Sequence, residues 1–408
     1  MSGNNENRQR RNGKVINIRR ESQNEEYDRT QMQNKLRRHR RKVRARLMWL
    51  GLVLILVCVL LIVWLFNKSY SSYSITASSS REDTDASQFV SYNGGFIRYS
   101  NDGAACFGSG GEMLWNYSYS MNNPEIRINN GYFAIGDMTG SQVIVFNRSG
   151  FLREITTAYT ITEIELSADG LVAASLSDGN ANYVTLYDTE GNQVYAVKTT
   201  LTGEGYPLAI SISDNAQQLV LAYACISGDT VTANVAFYNF SDTGQSENKR
   251  LVGGFDNFDD KLVGDVHFFG NTKAVAVSED SITYYSVGDY PSQTQRVQID
   301  GKIQKTFYAE DRIGLIIEDE NSAYKLEVYD LSGTKLCSVS IDQSYSNFCF
   351  DHGRIYMNND SSFRIYSAGG RKIADITAQL PVTDVIPTGS RGSCFLITTN
   401  YIQKISLR

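Results

Sequence analysis

Three histidines, six cysteines and scattered carboxylates are the groups from which this 408-residue chain could build a catalytic or metal site. Their spacing argues against one. His39, His267 and His352 lie in separate stretches without ligand-spaced partners, so neither a zinc site nor a Ser-His-Asp triad is supported. Gly108-Ser109-Gly110 lacks the strand–turn–helix setting of a nucleophile elbow. Asp178-x-Asn180-x-Asn182 opens like a calcium loop, but Tyr183 stands where glycine is needed and Thr189 where glutamate is needed. A hairpin turn is the simpler reading. Paired carboxylates for glycoside hydrolysis need a separation in space that sequence does not supply. No catalytic, cofactor or metal residue is therefore assigned. The candidate binding residues sit in the longest insertion, 241–261, where Phe255 and Phe258 alternate with Asp256, Asp259 and Asp260. Long loops on rigid scaffolds often carry binding, and an aromatic–acidic cluster suits a basic or carbohydrate partner.

The elements that must position these groups announce themselves by repetition. A strand ends in Tyr or Phe, a polar turn follows, and a glycine comes three or four residues after the aromatic. The phrase reads Phe107-Gly108-Ser109-Gly110, Phe146 to Gly150, Tyr187 to Gly191, Tyr285 to Gly288, Tyr329 to Gly333 and Tyr366 to Gly369, with a looser copy from Tyr238 to Gly244. Successive aromatics are 39, 41, 51, 47, 44 and 37 residues apart. A period near 40 residues is the mark of a β-propeller with one four-stranded blade per repeat. One repeat shows the grammar: strands at 161–166, 171–176, 183–187 and 193–198, separated by turns at Ala168-Asp169-Gly170 and Asp178-Gly179-Asn180. Runs such as Val143-Ile144-Val145-Phe146 do not alternate, as expected where both faces of a sheet are covered.

Blades are expected near 88–120, 125–159, 161–202, 207–252, 262–300, 303–342 and 346–379. The remainder, 382–408, supplies only three strands. A ring leaves no bare sheet edge at its seam, so the missing outer strand is assigned to Tyr73–Ala77, a clasp between the two ends of the domain. The fold class is all-β: an eight-bladed propeller, with seven blades as the alternative, preceded by one transmembrane helix.

That helix is the second decisive signal. Residues 47–66 contain no charge, and as a helix they span about 30 Å, the thickness of a bilayer's hydrocarbon core. A signal peptide's apolar region is shorter and ends in a small-x-small site, which is missing here. Residues 1–46 carry 15 Lys/Arg and 5 Asp/Glu, a net +10, so the whole-chain −5 leaves −15 for residues 47–408. Seven basic residues between Arg37 and Arg46 crowd the amino-terminal edge of the apolar run, and the positive-inside rule places that end in the cytoplasm. Such a cluster fits topology and anionic lipid, so no nucleic-acid partner is assigned. The domains are then a basic, largely disordered cytoplasmic tail (1–46), the span (47–66), a Ser-rich linker read as a flexible stalk (67–87) and an extracytoplasmic propeller (88–408).

Cys58 falls in the span, leaving five scattered cysteines outside, which argues against a disulfide framework. One bridge, Cys337 to Cys349, is left open on the expectation that they occupy neighbouring strands.

The stretch Gly110-Gly111-Glu112-Met113-Leu114-Trp115, with 124–128 and 131–135 after it, resembles the repeat of PQQ-like propellers, in which a Gly-x-x-Leu-Trp strand closes a blade. Only Trp115 keeps that tryptophan; Tyr195, Ser338 and Ala374 stand in elsewhere. The layout is also similar to an uncharacterised membrane-anchored propeller family of Gram-positive anaerobes. The resemblance implies a PQQ-like or WD40-like fold and a location at the cell membrane, not an activity. Quinoproteins bind PQQ beside adjacent cysteines, and this chain has none, so no cofactor is expected. The reading that follows is a non-catalytic binding or scaffold module at the cell envelope, with a protein or glycan partner. The alternatives are an extracytoplasmic glycan hydrolase or lyase, or a ligand sensor.

Overall fold

The computed structural model describes residues 18–81, 86–200, 205–227, 229–319, 323–342 and 344–408. They form two units, divided between Lys68 and Ser69. In the first, a single helix, α1 (Ile18–Phe66), carries the charged segment and the apolar run without a break. Residues 25–46 are thus helical and continuous with the apolar run, since Glu, Gln, Arg and Lys lose little side-chain freedom in a helix. Residues 1–17 lie outside the described set. The apolar stretch is buried against no protein. An all-round apolar helix without a protein partner has the character of a membrane anchor.

The second unit is a propeller of eight four-stranded antiparallel sheets. Blades 1 to 7 span 88–118, 124–156, 160–199, 206–255, 263–298, 302–341 and 347–377. Blade 8 takes three strands from 382–407, and its outermost strand is Tyr73–Ser80, antiparallel to Tyr401–Leu407. The linker is therefore no free stalk. It docks as early as Tyr70, whose amide donates to the carbonyl of Ile373 in blade 7 at 2.8 Å. The charged part of the linker, 82–85, lies outside the described residues.

Every junction between blades has its own apolar core. Tyr187 of blade 3 packs with Val145 and Ile155 of blade 2, and Tyr285 of blade 5 with Phe237 and Phe255 of blade 4. The seam between blades 8 and 1 is filled by Phe89, Phe96, Ile386, Phe395 and Ile397. The recurring aromatic thus binds each blade to the one before it. The glycine after it takes a left-handed φ in blades 2, 3 and 6 (Gly150 116°, Gly191 89°, Gly333 74°); in blades 1 and 7 the next glycine, Gly111 (φ 91°) or Gly370 (φ 84°), does so, and Gly244 and Gly288 do not.

The only other helices among the described residues interrupt blade 4, at Asp242–Gln245 and Asn248–Arg250. Sequence periodicity is blind to a single turn. All six cysteines are free thiols. Cys337 lies on the outermost strand of blade 6 and Cys349 on the innermost strand of blade 7, opposite edges of successive sheets, so no bridge joins them.

The ring has two distinct ends. Its lower end carries the turns joining first to second and third to fourth strands; its upper end carries the second-to-third turns and the connections between blades.

A candidate binding site at the upper end of the ring

The first strand of each blade is the innermost, and these strands place the polar groups nearest the axis. In blades 3, 5, 6 and 8 the pairing register slips by one residue just before Glu163, Asp265, Lys305 and Asp384. A β-bulge locally re-aims the strand; the same slip in blade 4 precedes Ala209, while in these four blades the residue that follows is charged. Strand alternation alone does not identify these residues as a set, because the slip breaks the period of two.

Blade 2 contributes the one guanidinium among them. Arg127 donates from Nε to Glu165 at 2.9 Å and reaches Glu125 at 3.4 Å. Burial, then the neighbouring Glu165 charge, pushes the Glu163 carboxyl up to about 8, and Glu163 also accepts the Ile210 amide at 3.1 Å. Asp265 is likewise held above the usual carboxylate range by burial, while it accepts hydrogen bonds from the Thr306 and Tyr308 hydroxyls, the latter at 2.5 Å. His267 stacks on Tyr308 with ring centroids 4.0 Å apart, and burial lowers it to about 4, so it is neutral at physiological pH. Burial raises Asp384 to about 6.

Three cavities meet at Lys305. The first, about 310 Å³, is walled by Phe89, Phe348 and Tyr356 with Asn347, Asn358 and Asp384 as its polar groups. The second, about 160 Å³, has Tyr324, Tyr345 and Phe348. The third, about 340 Å³, runs along Asp265, Ser278 and Glu279. The Lys305 ammonium donates to the Ser346 carbonyl at 2.7 Å and lies 5.5 Å from the centre of the Phe348 ring. Apolar walls with a few charged groups are the usual make-up of a ligand pocket.

The same end carries a projecting hairpin. In blade 4 the second and third strands, Gln218–Ser227 and Thr230–Asn239, run on past the first strand, which pairs no further than Ala224. At the tip Ile226 faces Val231, and both are about half exposed.

The sequence-predicted residues fall beside this hairpin, in the connection from blade 4 to blade 5. Burial divides them. Phe258 is buried in the core between the blades, with Phe255 half-buried against Tyr285 at 4.8 Å. Arg296 lies over Phe258 at 5.2 Å and donates to the Asn257 carbonyl at 2.7 Å and to Asp259 at 3.2 Å. Asp256, Asp259 and Asp260 stay exposed. The Asp178 segment is the expected turn, its carboxylate accepting the amides of Asn180 and Ala181 at 2.8 and 2.7 Å. Among the described residues no group of His, Cys, Asp and Glu is arranged to hold a metal.

Residues 66–407 match a family described as a family of unknown function, DUF5711. No curated protein matches the chain. Among solved structures, BamB from Moraxella catarrhalis superposes with a TM-score of 0.52 at 12% identity, covering 82% of this chain and 100% of that one. Saccharomyces cerevisiae Sqt1 gives 0.54 at 11% identity, covering 83% and 98%. Chaetomium thermophilum Sqt1, solved bound to the N-terminus of the ribosomal protein L10, gives 0.50 at 12% identity, covering 81% and 92%. At such identities the likeness is one of fold.

Proposed function

The chain belongs to the DUF5711 family, and we propose that its propeller is a non-catalytic binding module, anchored in the cell membrane by α1 and facing the outside of the cell. The observation that carries the reading is the gathering of cavities, hairpin and exposed carboxylates at the upper end. The chain arrives from the apolar helix at the lower end, where Ser71 and Ser72 bond the Arg408 carbonyl. The three cavities, the blade 4 hairpin and exposed Asp256, Asp259 and Asp260 all lie at the upper end. A contoured upper surface with exposed acidic residues suits a scaffold that holds an envelope partner. Propellers as different as BamB and Sqt1 share this fold, and one of those structures holds a peptide segment.

The partner this surface fits is a protein segment bearing basic residues, set against Asp256, Asp259 and Asp260. The net −15 beyond residue 46 favours the same sign of partner and a salt-sensitive association. Full-length protein in detergent, mixed with an envelope extract, retains such a partner at low salt and releases it at high salt; an Asp256→Lys, Asp259→Lys, Asp260→Lys variant loses it. Retention of the same partner by that variant would reject this surface. Protease treatment of intact cells tests the orientation, since protection of residues 88–408 puts the propeller inside.

A second reading, an extracytoplasmic glycan hydrolase or lyase, is favoured by one observation. Glu163, pushed up to about 8, holds a proton at neutral pH beside Glu165 and Arg127, as a general acid must. Release of reducing sugar from cell-wall glycan that disappears in Glu163→Gln would select it over the scaffold.

A further inference from the structure

The first cavity lies where four blades meet, and it keeps two opposite charges apart. Its walls come mainly from the innermost strands of blades 6, 7, 8 and 1, at Lys302–Ala309, Asn347–Asp351, Val382–Pro387 and Gln88–Tyr92. Lys305 supplies the ammonium and Asp384 the carboxyl. Lys305 donates to the Ser346 carbonyl and lies over the Phe348 ring, whereas Asp384 accepts the Val385 amide at 2.7 Å and the Asn347 side chain. Neither has an ion-pair partner among the described residues. A half-buried carboxyl with neutral partners alone gains strongly from an incoming counter-charge, and an ammonium has three donors, of which the Ser346 carbonyl takes one.

The charged groups around this cavity leave both positions open. Arg81 lies over the Phe89 ring at 5.1 Å, but it donates to the Thr383 hydroxyl and the Thr398 carbonyl. Asp265 is engaged by Thr306 and Tyr308. Glu279 lines the third cavity without pairing with Lys305. An anion alone would meet Lys305 but face Asp384, Asp265 and Glu279. A cation alone would meet Asp384 but face Lys305. A molecule carrying both charges sets each against its opposite.

An apolar group has its own place beside them. The second cavity joins the first at Lys305 and Phe348, and Ile316, Tyr324 and Ile341 wall it with no carboxylate in its lining. The charges at its rim are engaged. Gln304 donates to Glu318 at 2.8 Å, and Arg364, over the Tyr345 ring at 5.6 Å, holds Asp342 and Asp375. At about 310 and 160 Å³ the two cavities suit a small molecule with one side chain to bury.

We propose that these cavities bind a small zwitterion with an apolar side chain, a free amino acid or a short peptide. Its carboxylate meets Lys305, its ammonium meets Asp384, and its side chain enters the second cavity. The site is separate from the Asp256, Asp259 and Asp260 surface and needs no protein partner.

Equilibrium dialysis of full-length protein in detergent at neutral pH, against labelled phenylalanine and labelled alanylphenylalanine, tests this. At least one of the two binds saturably, and the tighter one tells a free amino acid from a peptide. Phenylpropionate, which lacks the ammonium, and phenethylamine, which lacks the carboxylate, bind at least roughly tenfold more weakly, as loss of a charge-assisted bond requires. Lys305→Met removes the preference for the zwitterion over phenethylamine, and Asp384→Asn removes its preference over phenylpropionate. A variant that merely unfolds loses every ligand together, and its urea midpoint shows it; the four ligands on the unaltered protein decide the matter without it. No saturable binding of either zwitterion, or analogues that bind as tightly as the zwitterions, overturns the proposal. No envelope extract enters this assay, so the basic-partner reading and this one fail separately.

Discussion

Tyr73 is the register partner of Leu407, so the first strand of the propeller and its last are hydrogen-bonded neighbours in blade 8. The ring is closed by a segment that precedes every other strand in the chain. Closure in this way joins the most distant parts of the sequence, and folding cannot finish until both are in place.

The clasp should therefore be cooperative with the whole ring. Ile405, fully buried in the strand that pairs with Tyr73–Ser80, belongs to the core between blades 7 and 8. Ile405→Ala is expected to cost about 2–5 kcal/mol, measured by urea unfolding of the propeller in detergent. Ile75→Ala, on the exposed side of the clasp, costs under about 1 kcal/mol. If the two variants lose equal stability, the clasp is not the closing element.

Stability should fall on both sides of mildly acid pH. Glu163 has its folded pKa raised from 4.5 to about 8, so between these values the native chain keeps a proton that the unfolded chain has released. Its contribution is present below 4.5 and is lost as pH rises to about 8. His267 is lowered from 6.5 to about 4, so its contribution is present above 6.5 and is lost as pH falls through 4. Each slope is bounded by about 1.4 kcal/mol per pH unit, less for the partly exposed Glu163. Glu163→Gln should flatten the decline between pH 6.5 and 8, and His267→Phe, which keeps a ring on Tyr308, should remove the term that opposes Glu163 between 4.5 and 6.5, so that stability there rises as the pH falls. Urea midpoints across pH 4–8 test both; unchanged profiles would count against the burial of these groups.

Arg127 is the charge on which the inner acids depend. Arg127→Gln leaves Glu165 without its 2.9 Å partner and Glu125 without its 3.4 Å one. The expected loss is about 1–3 kcal/mol at pH 7, discounted from a fully buried pair because the Arg127 side chain keeps 30% exposure. Lowering the pH to 5 should recover part of it as the Glu165 carboxyl, raised by burial, protonates. A loss that does not depend on pH would mean that Arg127 acts by packing alone.

Blade boundaries were legible because each turn needs glycine, asparagine or aspartate at fixed places, as at Asp188 to Gly191 and Asp330 to Gly333. The inner polar set was not. Glu163 and Asp265 read as ordinary alternating strand residues, and only the one-residue slips before them, invisible in a single sequence, turn them into a set. Arg127 meets Glu165 only because blades 2 and 3 are wedged side by side about an axis that no local pattern encodes. The insertion at 255–260 shows the converse limit: aromatic and acidic residues looked alike as loop groups, yet burial divides them.

That division gives the last test. Phe258 is 1% exposed among Phe237, Val266 and Tyr285, so Phe258→Ala should cost about 3–5 kcal/mol. Asp259 is exposed and its bond to Arg296 is a surface one, so Asp259→Ala should change stability by less than about 1 kcal/mol. If the segment binds a basic partner, the effects on binding run the other way. Asp259→Ala weakens retention of the partner while the urea midpoint stays put. Phe258→Ala, assayed at a temperature where it remains folded, keeps its affinity. Stability and partner retention measured side by side on the two variants separate a structural plug from a contact surface. A stable Phe258→Ala variant that fails to bind would move the aromatic back among the binding residues.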